Sequence, residues 1–312
     1  MRALRQRYLP LPAILFGVVL IVSTNVARSD SDLERALRQY NFESVKGYVQ
    51  PISDLFGTDV NSGFYHSAAI PRSGFHLEFD IVAMGALVSD DQKAYEVKLP
   101  AGFTPKPGST LKTATVFGGK GTLFEDYHNG QLSGLQYKGS DGIINTSIFP
   151  LGVPQLTIGS VYGTEATIRF VTSPEIGSGK FPKTTLFGIG GRHSISQYIP
   201  NFPLDLAAGV FYSSFTVGDL ITSNSIAFGV QASKEFSVLV LYGGLQYEKS
   251  SLNLKFTSSD PTASPLVDVT LDGANTFRGT VGVGLALGVF NIFADANLGQ
   301  ITGFSGGIGF GF

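Results

Sequence analysis

From Gly63 on, the sequence takes a period of two, apolar and polar residues alternating, and this pattern limits the possible folds more than any other feature of the sequence. In residues 75–88 one face reads Phe75, Leu77, Phe79, Ile81, Ala83, Gly85 and Leu87, and the other begins His76, Glu78 and Asp80. Successive side chains of a strand point to opposite faces, so such a unit has one greasy side and one that can be wet. The contrast returns in residues 156–172, where Leu156, Ile158, Tyr162, Ala166, Ile168 and Phe170 oppose Thr157, Glu165, Thr167 and Arg169. Further units cover residues 184–198, 204–216, 223–234, 237–256, 267–287, 290–298 and 302–312. Each is long enough to cross a bilayer as a tilted strand of about 9–11 residues.

The solvent such strands face is constrained by composition. Charged residues make up 15% of the chain, against about a quarter in soluble domains. Residues 1–29 read as a secretory signal: Arg2, Arg5 and Arg7 form a basic start, residues 9–22 are apolar, and small residues precede a cut after Ser29. The apolar run is shorter than the ~20 residues of a spanning helix and is interrupted by Pro10 and Pro12. No later stretch is long enough for a helical span, so a life in the membrane would depend on strands. Taking the four leader arginines from 22 basic residues leaves 18 against 24 acidic ones, which disfavours nucleic acid as a partner. The absence of cysteine excludes disulfides, thiolate metal sites and a lipidated amino terminus of the lipoprotein kind.

Residues 30–56 form the one helical region, in two pieces around Asn41. Leu33, Ala36, Leu37 and Tyr40, then Val45, Val49, Ile52, Leu55 and Phe56, recur at spacings of three and four, and Pro51 is expected to kink or restart the second piece. The domain plan is therefore a signal over 1–29, a helical plug or periplasmic segment over 30–59, and a barrel over 60–312. The helix either lies against the periplasmic mouth or enters and plugs the lumen. Within the barrel, residues 94–150 are an irregular insert, a constriction or extra strands.

Residues 306–312 place Ile308, Phe310 and Phe312 on alternate positions with Phe last. Phe310 and Phe312 resemble the carboxy-terminal signal by which barrel-assembly machinery recognises its substrates. Ending that strand in the periplasm orients the others, and tight links at 198–203, 234–235 and 288–289 alternate with polar excursions at 173–181 and 257–265. Residues 156–312 then supply eight strands and 60–88 two, while 94–148 adds two more or folds inward as a constriction. The expected fold is all-β: a closed antiparallel transmembrane barrel of about twelve strands, within a range of ten to fourteen. Closure is needed because an open edge in lipid leaves backbone groups unpaired at several kcal/mol each. The expected location is the bacterial outer membrane, with the lipid bilayer and the assembly machinery as partners.

On the polar side of their strands lie Glu78, Asp80, Glu165, Arg169, Arg192, Glu248, Arg278 and Asp295, expected as lumen charges of both signs that pair with one another. Gly282, Gly284, Gly307, Gly309 and Gly311 form a smooth inner wall, against which the amino-terminal segment is expected to pack. The four histidines, His66, His76, His128 and His193, show no metal-site spacing. His193 and Ser194 are adjacent on a strand, so they point to opposite faces and cannot pair as base and nucleophile. Residues 117–122 lack the order of a phosphate loop and read as a turn. No catalytic, cofactor or metal site is expected, and the chain is not read as an enzyme.

Several segments resemble an uncharacterised bacterial family of outer-membrane barrels, itself loosely like the long-chain fatty-acid transporters. They are Val60-Asn61-Ser62-Gly63-Phe64-Tyr65-His66, Val153-Pro154-Gln155 through Gly163-Thr164-Glu165 to Arg169, Gly188 to His193 with Tyr198 and Pro200, and Leu241-Tyr242-Gly243-Gly244. The resemblance implies a fold and a location but no settled activity, and the Asn-Pro-Ala start of the fatty-acid transporters is absent. The functional expectation is a passive channel or transporter for small solutes, with hydrophobic ones among the candidates. The alternatives are a structural or partner-binding barrel without flux and, more remotely, a lipid-modifying barrel enzyme.

Overall fold

The computed structural model describes residues 42–173, 183–257 and 266–311. The residues expected to form a leader and a first helical piece, most of both polar excursions and Phe312 lie outside the described residues. The chain begins with α1 (Phe42–Val60) and continues through β1 (His76–Leu87), β2 (Ala94–Glu96), β3 (Lys112–Ala114), β4 (Leu123–His128), β5 (Gln131–Lys138), β6 (Ile148–Val161) and β7 (Thr164–Ser173). There follow β8 (Thr184–Ser194), β9 (Asp205–Val217), β10 (Ile221–Phe236), β11 (Leu239–Thr257), β12 (Leu266–Asp272), β13 (Phe277–Leu287), β14 (Phe290–Leu298) and β15 (Gly303–Gly311).

Ten strands close into an antiparallel ring in the order β1, β6, β7, β8, β9, β10, β11, β13, β14, β15. The closing contact joins β1 to β15, with Glu78 opposite Gly311 and Ala86 opposite Gly303. β12 stays outside the ring: it pairs with the far part of β11, Ser251–Thr257, while β13 pairs with the near part, Leu239–Tyr247. β12 and β13 run the same way along β11, so they act as one long strand interrupted at residues 273–276.

The count is ten, at the lower bound of the expected range and two below the central value of twelve, through one difference that adds a strand and two that together remove three. Residues 156–172 are two strands, because a turn at Tyr162 and Gly163 falls within an unbroken alternation; both residues have positive φ, 51° and 70°. Residues 60–74 do not join the wall. The stretch 94–148 adds no wall strand either, since β2 pairs only with β3 and β4 only with β5.

The two ends of the barrel differ. At the end holding Gly311, two-residue links join β6 to β7, β10 to β11 and β13 to β14, and we call this the turn end. The opposite loop end carries residues 88–147 between β1 and β6. There β2 to β5 form a cap over the first half of α1: Val116 N–H donates to Tyr48 O (3.0 Å) and the Tyr48 hydroxyl donates to Asp141 O (2.9 Å). Phe117 and Phe56 both meet the Phe149 ring edge-on.

Alternation sorts the faces as the sequence predicts. Every wall strand exposes large apolar side chains, among them Phe79, Ile158, Phe187, Val210, Val281 and Ile308. The inward positions are buried, yet the barrel is not hollow. α1 enters at the loop end, where Val45, Tyr48, Val49, Leu55 and Phe56 share one apolar cluster with Phe215, Leu252 and Leu254 of the wall and Leu271 of β12. It therefore plugs the lumen and does not lie at the turn-end mouth. The helix runs through Pro51 as one element, so the proline does not restart it. An interior proline costs about 3 kcal/mol, and burial of the helix's apolar stripe offsets it. Residues 61–75 continue down the lumen and leave at the turn end into β1.

Candidate functional site

An α-helix leaves its last four carbonyls without intrahelical partners and carries partial negative charge at that end. In this barrel that end is buried in the lumen, and the wall supplies the missing donors. Arg278 on β13 donates from Nη2 to Thr58 O (2.7 Å) and from Nη1 to Ser62 Oγ (2.5 Å). Arg169 on β7 and Ser213 on β9 both donate to Val60 O, and Gln246 on β11 donates to Asn61 O (3.3 Å). Farther down, Arg192 on β8 donates to Ser67 O (2.5 Å), and Ser233 Oγ accepts from Ala68 N–H (2.9 Å). The guanidinium of Arg169 also lies 3.5 Å from the centre of the Phe64 ring, a cation–π contact strengthened by the burial of both groups.

All eight residues singled out as lumen charges are buried inside the barrel. Arg278 pairs with Glu248 (Nη2–Oε1, 2.9 Å), and Arg192 donates from Nε to Glu165 (2.8 Å). Arg169 is held by Gln155 (2.8 Å) instead of a carboxylate. Asp295 receives the Tyr242 hydroxyl (2.8 Å), the Asn297 amide (2.6 Å) and the Ser305 hydroxyl. Glu78 and Asp80 lie together near the turn end with His66, whose ring stacks on Phe293 (4.6 Å between centroids).

The wall glycines serve neighbouring strands before they serve the plug. A Cβ on Gly282 would strike the Tyr242 ring, one on Gly307 the Phe293 ring, and one on Gly309 the Asp80 carboxylate; Gly311 faces Glu78, and Gly284 faces Val240 and Phe293. These glycines make room for long side chains that lean across them, and those side chains meet the plug. Direct approach to the plug falls elsewhere, at Gly303 against Thr58 and at Gly244 against the Tyr65 hydroxyl. Phe310 is on the outer face, edge-on to Phe290, while Phe312 lies outside the described residues.

His193 and Ser194 face opposite ways: Ser194 is buried, and the His193 ring bonds Thr164 and Tyr198 at the turn end. The plug residues Thr58, Val60, Asn61 and Ser67, met through their carbonyls, escaped the sequence reading because backbone acceptors leave no trace in residue identity. Tyr242, Asn297 and Ser305 were legible in principle as polar residues on inward parity.

Fold and site together define a plugged, ten-stranded antiparallel β-barrel with a polar lock on its plug. The chain belongs to a family of unknown function, DUF6588, whose model matches residues 6–312. None of the curated proteins matches it. Among solved structures it is similar to the P. putida toluene transporter TodX, at 11% identity and a TM-score of 0.26 over 77% of this chain and 67% of that one. It is also similar to the translocator domain of the autotransporter NalP from Neisseria meningitidis, at 13% identity and a TM-score of 0.23 over 93% and 97% of the two chains. The transport unit of the autotransporter AIDA-I from Escherichia coli is 12% identical, with a TM-score of 0.26 over 87% and 98%. Likeness at this level says nothing of function.

Proposed function

We propose that this chain is an outer-membrane barrel that acts as a passive channel or transporter for small solutes and is closed at rest by its own amino-terminal plug. The observation that carries the reading is the wall's division of labour: all ten strands turn large apolar side chains outward, while the plug's backbone hangs from wall arginines inside. An apolar belt of that kind suits lipid, and closure removes every edge that lipid would leave unpaired. The end with the two-residue turns then faces the periplasm and the end carrying residues 88–147 the outside, so α1 enters from the external face. A plug held by hydrogen bonds to charged side chains can exchange those bonds for water, whereas an unbroken apolar core cannot. A barrel of ten strands has a lumen between the filled eight-stranded barrels and the open 16-stranded pores, so release of the plug would leave a narrow path.

Planar-bilayer conductance tests this. The wild-type protein is expected to be silent or to open rarely, and a variant lacking residues 42–70, or one carrying Arg169→Ala and Arg278→Ala together, is expected to conduct. Silence in both variants, with the barrels shown to be folded, would defeat the channel reading. A second reading, a barrel that binds a partner without flux, is favoured by one observation. The β4–β5 hairpin of the cap exposes Leu123, Leu132 and Leu135, at 51%, 56% and 65% of their full surface. Charging Leu132 and Leu135 would abolish partner capture on this reading and leave conductance unchanged on the first.

A further inference from the structure

The buried charges of the lumen do not balance. Among the described residues, the buried carboxylates Asp59, Glu78, Asp80, Glu165, Glu248 and Asp295 outnumber the buried arginines Arg169, Arg192 and Arg278, and the basic groups beside Glu78 and Asp80 are the histidines His66 and His76. Two of the three arginines are committed to Glu165 and Glu248. The surplus concentrates near the turn end. Glu78 and Asp80 share the inner face of β1, 7% and 0% exposed, and no described Lys or Arg lies within ion-pairing distance of either. Two carboxylates so close in a buried site favour a bound cation between them, because unpaired buried charge is costly.

We propose that His66, Glu78 and Asp80 form a binding site for one divalent transition-metal ion that clasps the plug's exit segment to the barrel wall. Their donor atoms all lie within 4.8 Å of one another. His66 Nε2 is 3.2 Å from Glu78 Oε1 and 4.0 Å from Asp80 Oδ1. Ligands about 2.1 Å from a shared ion come this near one another, so only a small inward movement of Asp80 completes the set. Asp80 Oδ1 accepts no hydrogen bond although it is fully buried, and it is the atom aimed at the histidine.

The surrounding contacts orient the donors. The Asn291 amide holds Glu78 Oε1 (2.5 Å), the Gln155 amide holds Asp80 Oδ2 (3.3 Å), and Phe293 fixes the imidazole plane by stacking. Gly309 keeps the opposite strand clear, since any Cβ there would land on Asp80 Oδ1. His76, whose Nε2 is 3.8 Å from Glu78 Oε2 and which is partly exposed, stands between this cluster and the turn-end mouth. One imidazole and two carboxylates suit zinc, and also manganese or ferrous iron; soft copper(I) would want sulfur. The site does not depend on whether the barrel conducts.

The test uses the full chain, extracted in detergent, stripped with chelator and titrated with zinc chloride. Wild type is expected to bind one saturating equivalent and to resist thermal unfolding more when loaded. His66→Gln and Asp80→Asn are each expected to bind at least about a hundredfold more weakly, more than the loss typical of an outer-shell contact. His128→Gln and His193→Gln should bind as wild type. Asp80→Asn removes the unsatisfied charge, so its metal-free form should melt no lower than metal-free wild type, and this separates loss of a ligand from loss of fold. The absence of a saturating equivalent in wild type, binding that survives Asp80→Asn, or equal weakening in the His128 and His193 controls would each overturn the proposal.

Discussion

The two halves of the lumen are filled by different means. Toward the loop end, α1 presents Val45, Val49, Leu55 and Phe56 to inward Phe215, Leu252, Leu254 and Leu271, and the contact resembles the core of a soluble protein. Toward the turn end, an extended segment passes among Arg192, Glu165, Tyr242, Asp295 and the Glu78–Asp80 pair. Individual strands record the change: β1 turns Glu78 and Asp80 inward first, then Val82, Met84 and Ala86. A helix satisfies its own backbone and needs only apolar company, whereas an extended chain in a closed tube must take its hydrogen bonds from the wall. The apolar half therefore sets how firmly the plug is held, and the polar half sets the register at which it sits.

The largest effect is expected at the boundary between the halves. Arg278→Ala leaves Glu248 buried without its partner and Thr58 O without its donor, and should cost about 3–5 kcal/mol against urea in detergent. The informative variant is the double replacement Arg278→Met with Glu248→Leu. An apolar pair of similar volume should recover most of that loss, yet it cannot donate to the plug, so conductance or protease access to residues 58–70 should rise. If the double variant were as tightly closed as wild type, the distinction between holding and register would collapse.

In the apolar half, Leu55→Ala should cost about 3 kcal/mol through lost burial and the cavity left behind. The cost should be the same at low and high salt, since no charge is involved, and repeating the urea titration across salt concentrations checks this directly. A smaller loss belongs to Tyr242→Phe, which removes one of three donors to Asp295 and should cost about 2 kcal/mol, the scale of a hydrogen bond to a charged group. The two losses should add, because the residues share no partners. Strong coupling in a double-mutant cycle would mean the halves respond as one.

How much of this was legible in the sequence follows the same division. Period-two alternation placed the wall strands and put Glu165, Arg169, Arg192, Glu248, Arg278 and Asp295 inside, because parity is a local property of a strand. Parity could not separate β6 from β7, since the turn at Tyr162 and Gly163 preserves the alternation on both sides. Nor could it show that residues 61–74 leave the sheet: an extended chain inside a barrel has the same polar and apolar mixture as one in its wall. The cluster of His66 with Glu78 and Asp80 was illegible for a related reason. Its members have no motif spacing, and only the path of the plug brings the histidine onto the strand.

The smallest expected effect lies beyond both halves, in the cap, and it tests whether the lumen is autonomous. Asp126 accepts the Ser133 hydroxyl (2.6 Å) and the Thr104 amide (2.7 Å), and these bonds, with His128 beside it, hold its carboxyl below the usual carboxylate range. A carboxyl depressed in the folded state contributes stability that is complete above the unfolded value near 4 and fades as the pH falls through the lower, folded value. Acid should therefore loosen the cap only below about pH 4, the unfolded carboxylate value, seen as faster cleavage of residues 100–135 by an acid-active protease. Asp126→Asn should abolish that acid step in the cap. If the cap only rests on α1, conductance and urea midpoint should stay unchanged in the variant, and the lumen's two halves suffice to hold the plug. If conductance appears as the cap loosens, the apolar half needs its cover, and the comparison must be redrawn between cap-plus-helix and lock.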